Sequence, residues 1–328
     1  MAEKKVGTVN YWRYSSDILG VFRLVPEGVS KFPSYKAGQY MALQRNDCRL
    51  TKKVVSDGKK VEYPTVLDAQ GVPKRGAVTH SYSISSAPFE TEEKGYLEFY
   101  VILEIDEKGV KGRLTESMFR MSPEADNKMV YYEKIAGDFT LDKRAAGFKN
   151  VILVGTGTGL APFISMAKQL DFDAKSGMSN SVKYTLLHTN RTYEELDYYQ
   201  DLLDIEAAQR FDFVYVPSVS RPTQRDWDDP KLGRGRANNM LRYLLEMPLK
   251  EEQGLQELTA KGGDVTKVKA VLEKTVKPAL PKQLTREALR DRMDPATSVV
   301  ITCGNPWSME DIKYAAETTG MRFEKEDW

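Results

Sequence analysis

The chain has 328 residues, of which 41% are hydrophobic, and a formal net charge of +1. This length exceeds what one hydrophobic core usually supports, so two domains are expected. The balanced charge gives no whole-chain case for binding nucleic acid or an anionic membrane surface. Cys48 and Cys303, the two cysteines, are too few for an iron–sulfur cluster with four thiolate ligands, and no metal site is predicted. No apolar run approaches membrane length and the first residues lack an apolar signal core, so a cytoplasmic protein that does not bind membranes is expected.

The first half of the chain, residues 6 to 150, predicts short strands separated by turns. β-Branched and aromatic residues lie between turn-forming residues in the segments 9–12, 20–25 and 39–43. The polar, lysine-rich residues 46–78 fit either a long hairpin or a loop, and no function is assigned to them.

Two further strands of this half carry candidate binding residues. The segment Thr79–Pro88 places small hydroxyl residues around Tyr82 on a strand that ends at a proline. In the strand Tyr96–Leu103, alternation puts Tyr96, Glu98 and Tyr100 on one face.

A glycine then precedes a predicted helix in Lys111–Met118, with Thr115 as the expected N-cap. Backbone N–H groups at a helix start are suited to a phosphate, so this segment is a candidate phosphate site. Further on, Ala136–Leu141 predicts a strand that is entered through a tight turn at Gly137.

The run from Val151 to Met166 predicts a buried strand, a glycine-rich turn and a helix. Four apolar residues are followed by alternating glycines, and Pro162 suits the first helical turn. This geometry points N–H groups at a phosphate, although a tight turn without a ligand stays open. The run is not Gly-x-Gly-x-x-Gly, because Leu160 occupies the last glycine position. The candidate residues are Gly155, Thr156, Gly157, Thr158 and Gly159.

Arginines follow the next two strands of the second half. The strand around residues 182–187 leads to Arg191, with no acidic residue at its end to accept a ribose hydroxyl, which favours a nucleotide with an extra phosphate. The strand Phe211–Pro217 is followed by Arg221, and the forked guanidinium groups could converge on one phosphate. Arg225 could add to them, or each arginine could form an ordinary surface ion pair.

In this order the motifs resemble the ferredoxin–NADP⁺ reductase family. Tyr82–Ser83 is similar to the end of the family's Arg-x-Tyr-Ser flavin strand, and Gly112–Thr115 to its Gly-x-x-Ser/Thr start of the helix that holds the FAD pyrophosphate. Gly137–Leu141 resembles the strand that precedes the nucleotide domain. The glycine-rich run resembles the NADP pyrophosphate loop, and Ser220–Arg221 the pair that binds the 2′-phosphate.

The end of the chain extends the resemblance. Cys303 to Met309 is similar to the family's Cys-Gly-x-Pro-x-x-Met segment beside the nicotinamide, and Trp328 resembles the terminal aromatic that covers the flavin. One position departs from the family: His80 stands where an arginine holds the pyrophosphate. Histidine offers a weaker, pH-dependent charge, so FAD is expected to depend more on Arg113 and backbone donors.

The resemblance therefore implies FAD and NADP(H) as cofactors. Residues expected beside the reacting atoms are Ser83, Thr158, Cys303 and Trp328. The cofactor-binding residues that it implies are His80, Ser81, Tyr82, Ser83, Tyr100, Val101, Gly112, Arg113, Leu114, Thr115, Gly155, Thr156, Gly157, Thr158, Gly159, Arg191, Ser220, Arg221 and Trp328.

Four of these residues also have purely structural interpretations. Tyr82 fits a core tyrosine, Ser83 a hydroxyl that bonds the backbone, Cys303 a buried strand end, and Trp328 a side chain that packs on its own domain or in a dimer contact.

The expected fold is an antiparallel Greek-key β-barrel that binds FAD, residues 1–145, followed by a parallel α/β domain that binds NADP(H), residues 146–328. A helical insertion is predicted at about residues 246–296, with a partner-docking surface as the alternative. The expected activity is of the ferredoxin–NADP⁺ reductase type, with ferredoxin or flavodoxin as partner and the two cofactors meeting between the domains. The alternatives are the reductase component of an oxygenase and a flavin-bound regulatory or electron-bifurcating subunit. A monomer or a homodimer is expected.

Overall fold

The computed structural model describes residues 3–28, 31–56, 60–178 and 180–326. The chain divides into two compact units, Met1–Gly137 and Asp138–Trp328. None of the helices within the described ranges has both the length and the apolarity that crossing a bilayer requires.

The described residues of the first unit form mainly antiparallel strands and two short helices. Its elements are β1 (Lys4–Ser16), β2 (Leu19–Pro26), β3 (Tyr40–Arg49), β4 (Val54–Ser56), β5 (Lys60–Glu62), β6 (Arg75–Ser83), α1 (Pro88–Lys94), β7 (Leu97–Ile102), α2 (Arg113–Met118) and β8 (Lys128–Ala136).

Six of these strands form one sheet in the order β6-β3-β8-β1-β2-β7. Every neighbouring pair is antiparallel, and a bridge between Ile84 and Phe99 joins the two ends of the sheet. The expected antiparallel Greek-key barrel is therefore confirmed. Its core includes Phe22, which stacks on Phe99 with ring centroids 5.2 Å apart and on Trp12 at 5.1 Å. The segment 46–78 contains the end of β3 and the small β4–β5 hairpin, whose residues 57–59 lie outside the described residues.

The strand expected at Ala136–Leu141 is wrong. β8 ends at Ala136, and Gly137 has φ +105°, a left-handed conformation that ends a strand. Thr140 is extended and is followed at once by α3 (Leu141–Arg144), whose Arg144 N–H donates to the Thr140 carbonyl. Local turn chemistry therefore replaces the strand with a helical turn.

The second unit alternates strands and helices. Its elements after α3 are β9 (Asn150–Thr156), α4 (Ala161–Lys175), β10 (Lys183–Asn190), α5 (Tyr199–Ala208), β11 (Phe213–Val219), α6 (Gln224–Asp228), β12 (Gly233–Arg234), α7 (Ala237–Leu244), α8 (Lys250–Ala260), α9 (Thr266–Lys274), α10 (Arg286–Arg290), β13 (Ser298–Cys303), α11 (Pro306–Thr318) and β14 (Arg322–Lys325).

All six strands of this unit are parallel, in the order β12-β11-β10-β9-β13-β14. The predicted parallel α/β domain is confirmed, and the buried run Val151–Val154 forms the inner part of β9. The chain moves outward from β9 in one direction through β10 and β11, then returns to the other side of β9 as β13. Ligands bind such sheets at the carboxyl ends of the strands where the order reverses, here β9 and β13.

A buried ion pair joins α7 to α11 and holds the start of the segment 246–296. The Arg242 guanidinium on α7 donates to both Asp311 carboxylate oxygens on α11, at 2.9 and 2.6 Å, and to the Pro248 carbonyl at 2.9 Å. Both side chains of the pair are almost fully buried. Burial opposes ionisation of Asp311, but hydrogen bonds from Arg242 and Asn238 outweigh it, so the pKa of Asp311 lies below its usual value.

Replacing Asp311 with Ala should destabilise the protein by about 3–5 kcal/mol, because Arg242 is left as an uncompensated buried charge. Glu310→Ala is the control, since its exposed carboxylate lies 3.5 Å from Lys325 and should contribute below about 1 kcal/mol. Because the pKa of Asp311 is depressed by folding, the difference between wild type and Asp311→Ala should be full at neutral pH and shrink as pH falls below about 4. Urea unfolding at several pH values measures it. Equal losses in the two variants would contradict the prediction.

Candidate functional site

The glycine-rich run forms a turn at the carboxyl end of β9. β9 ends at Thr156, the residues Gly157–Leu160 make one 3₁₀ turn, and α4 begins at Ala161 with Pro162 in its first turn. Gly157 has φ +56°, and within the described chain no atom lies closer than 4 Å to the place of a Cβ there. The turn is thus open to a ligand at Gly157.

Two other glycines are required for packing rather than for a ligand. A Cβ at Gly159 would collide with the Cys303 carbonyl group, and a Cβ at Gly304 would collide with Thr156. Gly304 also has φ +128°. The Asn305 N–H donates to the Thr156 hydroxyl at 2.9 Å, which closes the contact. The turn after β9 and the end of β13 therefore form one packed unit, with Thr158 partly exposed beside it.

Cys303 is the last residue of β13 and is fully buried. Its thiol donates to the Glu326 carboxylate at 2.9 Å, and the Glu326 N–H donates to the Thr302 carbonyl at 3.1 Å. Burial, and then the neighbouring Glu326 carboxylate, raise the pKa of the Cys303 thiol well above its usual range. The group at this strand end is therefore a neutral thiol. Glu326 was missed by the sequence analysis, because only the pairing of β14 with β13 brings it here.

The structure brings Arg191, Ser220 and Arg221 together at the ends of β10 and β11. The Arg221 N–H donates to the Arg191 carbonyl at 2.8 Å, and the Ser220 N–H to the Asn190 carbonyl at 2.9 Å. The Ser220 hydroxyl also donates to the Asn190 carbonyl at 3.3 Å. The exposed Arg221 guanidinium makes no hydrogen bond or ion pair with the residues that the structure describes.

The other two arginines already have acidic partners. Arg191 forms a bidentate ion pair with Glu195, with 2.7 Å from Nε to Oε2. Arg225 lies 3.3 Å above the Tyr193 ring and 3.4 Å from the Asp229 carboxylate. The ion-pair alternative considered for Arg225 is therefore present. Glu195 was not identified from the sequence, because the 3₁₀ turn Tyr193–Glu195 is what brings it to Arg191.

Four candidate flavin residues of the first unit lie on β6. His80 and Ser81 are exposed there, opposite Leu43 and Ala42 of β3. Tyr82 packs against the barrel core, and burial raises its pKa well above the usual value, while Ser83 is buried.

Tyr100 and Val101 lie on β7, and both are buried. The Val101 side chain belongs to the hydrophobic core of the barrel. Trp328 lies outside the described residues.

The expected cap at Thr115 is wrong. α2 begins at Arg113 after Gly112, and Thr115 is buried in its first turn, where its hydroxyl accepts the Glu104 N–H at 3.3 Å. A Cβ at Gly112 would lie 2.7 Å from the Glu104 carboxylate and 2.9 Å from the Glu104 Cβ, so a larger residue here would force Glu104 to move. An acidic side chain that the sequence analysis did not assign therefore lies beside Gly112, whereas Arg113 is partly exposed and Leu114 is buried.

Comparison with known proteins agrees with this geometry. The sequence model of the oxidoreductase NAD-binding domain matches residues 153–255. A ferredoxin NADP⁺ reductase from Neisseria gonorrhoeae, solved with FAD and NADP, is similar over 99% of both chains, with 17% identity and a TM-score of 0.57. The chain therefore shares the fold of ferredoxin–NADP⁺ reductases. No curated protein matches it in sequence.

Other solved structures share the ferredoxin–NADP⁺ reductase fold with this chain. The cytochrome b5 reductase domain of Ulva prolifera nitrate reductase is similar over 99% of this chain and 97% of its own, with 15% identity and a TM-score of 0.59. The Amycolatopsis cytochrome P450 reductase GcoB is similar over 99% of this chain and 70% of its own, with 17% identity and a TM-score of 0.57. The fold is thus shared by reductases with different partners.

Alanine substitutions at Gly159 and Gly157 should differ in their effect on stability, because only Gly159 packs against another segment of the chain. The added methyl group at residue 159 meets the Cys303 backbone, so this variant should lose several kcal/mol of stability or fail to fold. At residue 157 the methyl group meets open space and only the positive φ is strained, which costs about 1–2 kcal/mol. Thermal unfolding measures both, and equal melting temperatures would contradict the prediction.

Cys303 should resist alkylation in the native protein at pH 8, because its thiol is buried and stays protonated. Iodoacetamide labelling followed by mass spectrometry tests this, with the urea-unfolded protein as the control in which Cys48 and Cys303 both react. Rapid native labelling of Cys303 would show that the thiol is accessible or ionised.

Proposed function

We propose that the protein is a cytoplasmic FAD-dependent oxidoreductase that exchanges electrons between NADP(H) and a one-electron carrier of the ferredoxin or flavodoxin type. The observation that carries the proposal is the pair of strand ends at β9 and β13. There an open glycine turn packs against the Cys303–Gly304 end at the position where the strand order reverses. The match to the oxidoreductase NAD-binding domain supports it, as does the bound FAD and NADP of the Neisseria relative.

The second unit would hold the dinucleotide. Backbone N–H groups of the turn at Gly157 and Thr158 suit the pyrophosphate, since the turn is open there. Ser220, Arg221 and Arg191 would bind the 2′-phosphate, because they meet at two adjacent strand ends. Cys303 would border the nicotinamide as a neutral thiol that Glu326 holds in place.

The first unit would hold the flavin. The Tyr82 ring would stack on the flavin ring system, with Ser83 near its reactive edge. His80, Ser81, Tyr100, Val101 and the α2 start from Gly112 to Thr115 would bind the rest of the cofactor. Val101 and Leu114, whose apolar side chains are buried, would contribute backbone groups. Bound FAD would supply the conversion between two-electron and one-electron transfer. We further propose that Trp328 covers the flavin.

The second candidate is the reductase component of an oxygenase. It is favoured by structural neighbours such as GcoB and the ferredoxin reductase of carbazole 1,9a-dioxygenase. This chain covers 70% and 68% of the length of those two proteins.

Purified protein should be yellow and should reduce ferricyanide with NADPH faster than with NADH. Stopped-flow reduction by each nicotinamide, followed by reoxidation with ferredoxin, flavodoxin or an oxygenase component, distinguishes the two candidate roles. A yellow protein that neither nicotinamide reduces would point to a regulatory subunit. A protein that remains colourless with excess flavin would refute the proposal.

Arg221→Ala should raise the KM for NADPH roughly 10- to 100-fold and leave that for NADH unchanged, because it removes a charged hydrogen-bond donor from the 2′-phosphate. Arg225→Ala is the matched control, since this guanidinium already lies against Tyr193 and Asp229. Steady-state kinetics with both coenzymes measures the effect. Equal changes for NADPH and NADH would remove Arg221 from the phosphate site.

A further inference from the structure

The ion pair between Arg191 and Glu195 occupies the end of β10. The Arg191 Nε donates to one oxygen of the Glu195 carboxylate at 2.7 Å, and a terminal N–H donates to the other. The Glu195 side chain is 7% exposed and the Arg191 side chain 36% exposed. The carboxylate is therefore placed inside the turn, and the guanidinium has one edge towards solvent.

The pair is held by the fold rather than by chance contact of two flexible side chains. Glu195 ends a 3₁₀ turn, Tyr193–Glu195, and its N–H donates to the Thr192 carbonyl at 3.2 Å. The buried Asn190 amide donates to the Glu195 carbonyl at 2.6 Å, while its oxygen accepts the Arg191 N–H at 3.1 Å. One asparagine thus fixes the backbone at both ends of the pair.

The ion pair reduces both the number of N–H donors and the net positive charge that Arg191 presents to a phosphate. A guanidinium has five N–H donors in a planar fork, and Glu195 takes the edge formed by Nε and one terminal nitrogen. The carboxylate also cancels the Arg191 charge. A phosphate monoester carries −1.5 to −2 charges at pH 7, so the Glu195 carboxylate repels any phosphate that approaches Arg191.

We propose that Glu195 is a positioning residue that limits the preference for the 2′-phosphorylated coenzyme. This inference rests on the proposed use of NADP(H) and deepens it. Glu195 holds Arg191 in one orientation and neutralises it, so that Arg221 supplies most of the attraction for the 2′-phosphate. The site therefore discriminates between NADPH and NADH less strongly than two unpaired arginines would.

Glu195→Gln tests the proposal, because glutamine keeps the size of the side chain and removes its charge. Calorimetric titration of the full chain with adenosine 2′,5′-bisphosphate should show binding tighter by on the order of 5-fold, while 5′-AMP binds as before. The gain should shrink in 0.5 M salt, where charges in partly exposed sites are screened. Glu194→Gln is the matched control, since it removes an exposed charge from the same turn and should leave both affinities unchanged.

A second background tests whether Glu195 acts through Arg191. In the Arg191→Ala protein, Glu195→Gln should have less than half of its effect on the binding free energy of adenosine 2′,5′-bisphosphate. If the glutamine variant does not fold, Glu195→Met provides the same uncharged replacement, and melting temperatures report on folding.

Three results would overturn the inference: unchanged or weaker bisphosphate binding in the uncharged variants, an equal gain for 5′-AMP, or a full gain in the absence of Arg191. If one of these three results is found and the wild-type protein still binds adenosine 2′,5′-bisphosphate, the inference about Glu195 fails but the proposed function stands. Wild-type protein that binds neither nucleotide and is reduced by neither nicotinamide would refute both.

Discussion

The nucleotide half of this fold depends on the close packing of two backbone segments, the turn after β9 and the end of β13. Glycines at 159 and 304 allow that contact, because a side chain at either position would overlap the opposite backbone. The Asn305 N–H and the Thr156 hydroxyl then complete the contact with a hydrogen bond. Gly159 and Gly304 face packed backbone, whereas a Cβ at Gly157 would point into open space. The same contact therefore joins β9 and β13 where the strand order reverses and leaves the turn open at Gly157.

The two units differ in how strongly their candidate sites are formed by backbone. In the second unit the ends of β10 and β11 are tied by main-chain hydrogen bonds, so side-chain substitutions such as Arg221→Ala should change ligand binding without moving these strand ends. In the first unit, Tyr82 and Ser83 are extensions of the barrel core, because Tyr82 packs on that core and Ser83 is buried. Substitutions there would disturb packing and ligand contact together.

Much of the fold follows from the sequence, because apolar runs and glycine turns are local signals. The buried run Val151–Val154, the glycine turn and Pro162 predicted the strand, turn and helix in their correct order. The strand expected at Gly137–Leu141 failed, because a positive φ at Gly137 and the extended Thr140 start a helical turn instead. Thr115 failed as a cap because Gly112 already serves as the extended residue before α2.

The residues that the sequence did not reveal are three glutamates, and they share a physical cause. Glu104, Glu195 and Glu326 each lie beside a motif that the sequence did identify, and each arrives there through a turn or through strand pairing. Arg191 and Glu195 are four residues apart, a spacing that implies a pair only where the chain makes a helical turn. At Arg191 the acidic neighbour cancels a positive charge before any ligand binds, whereas Glu326 lies beside a neutral thiol. A phosphate that bound at Arg191 would have to exchange one set of charged contacts for another, so Glu195 would lower both its affinity and the preference for the phosphorylated ligand.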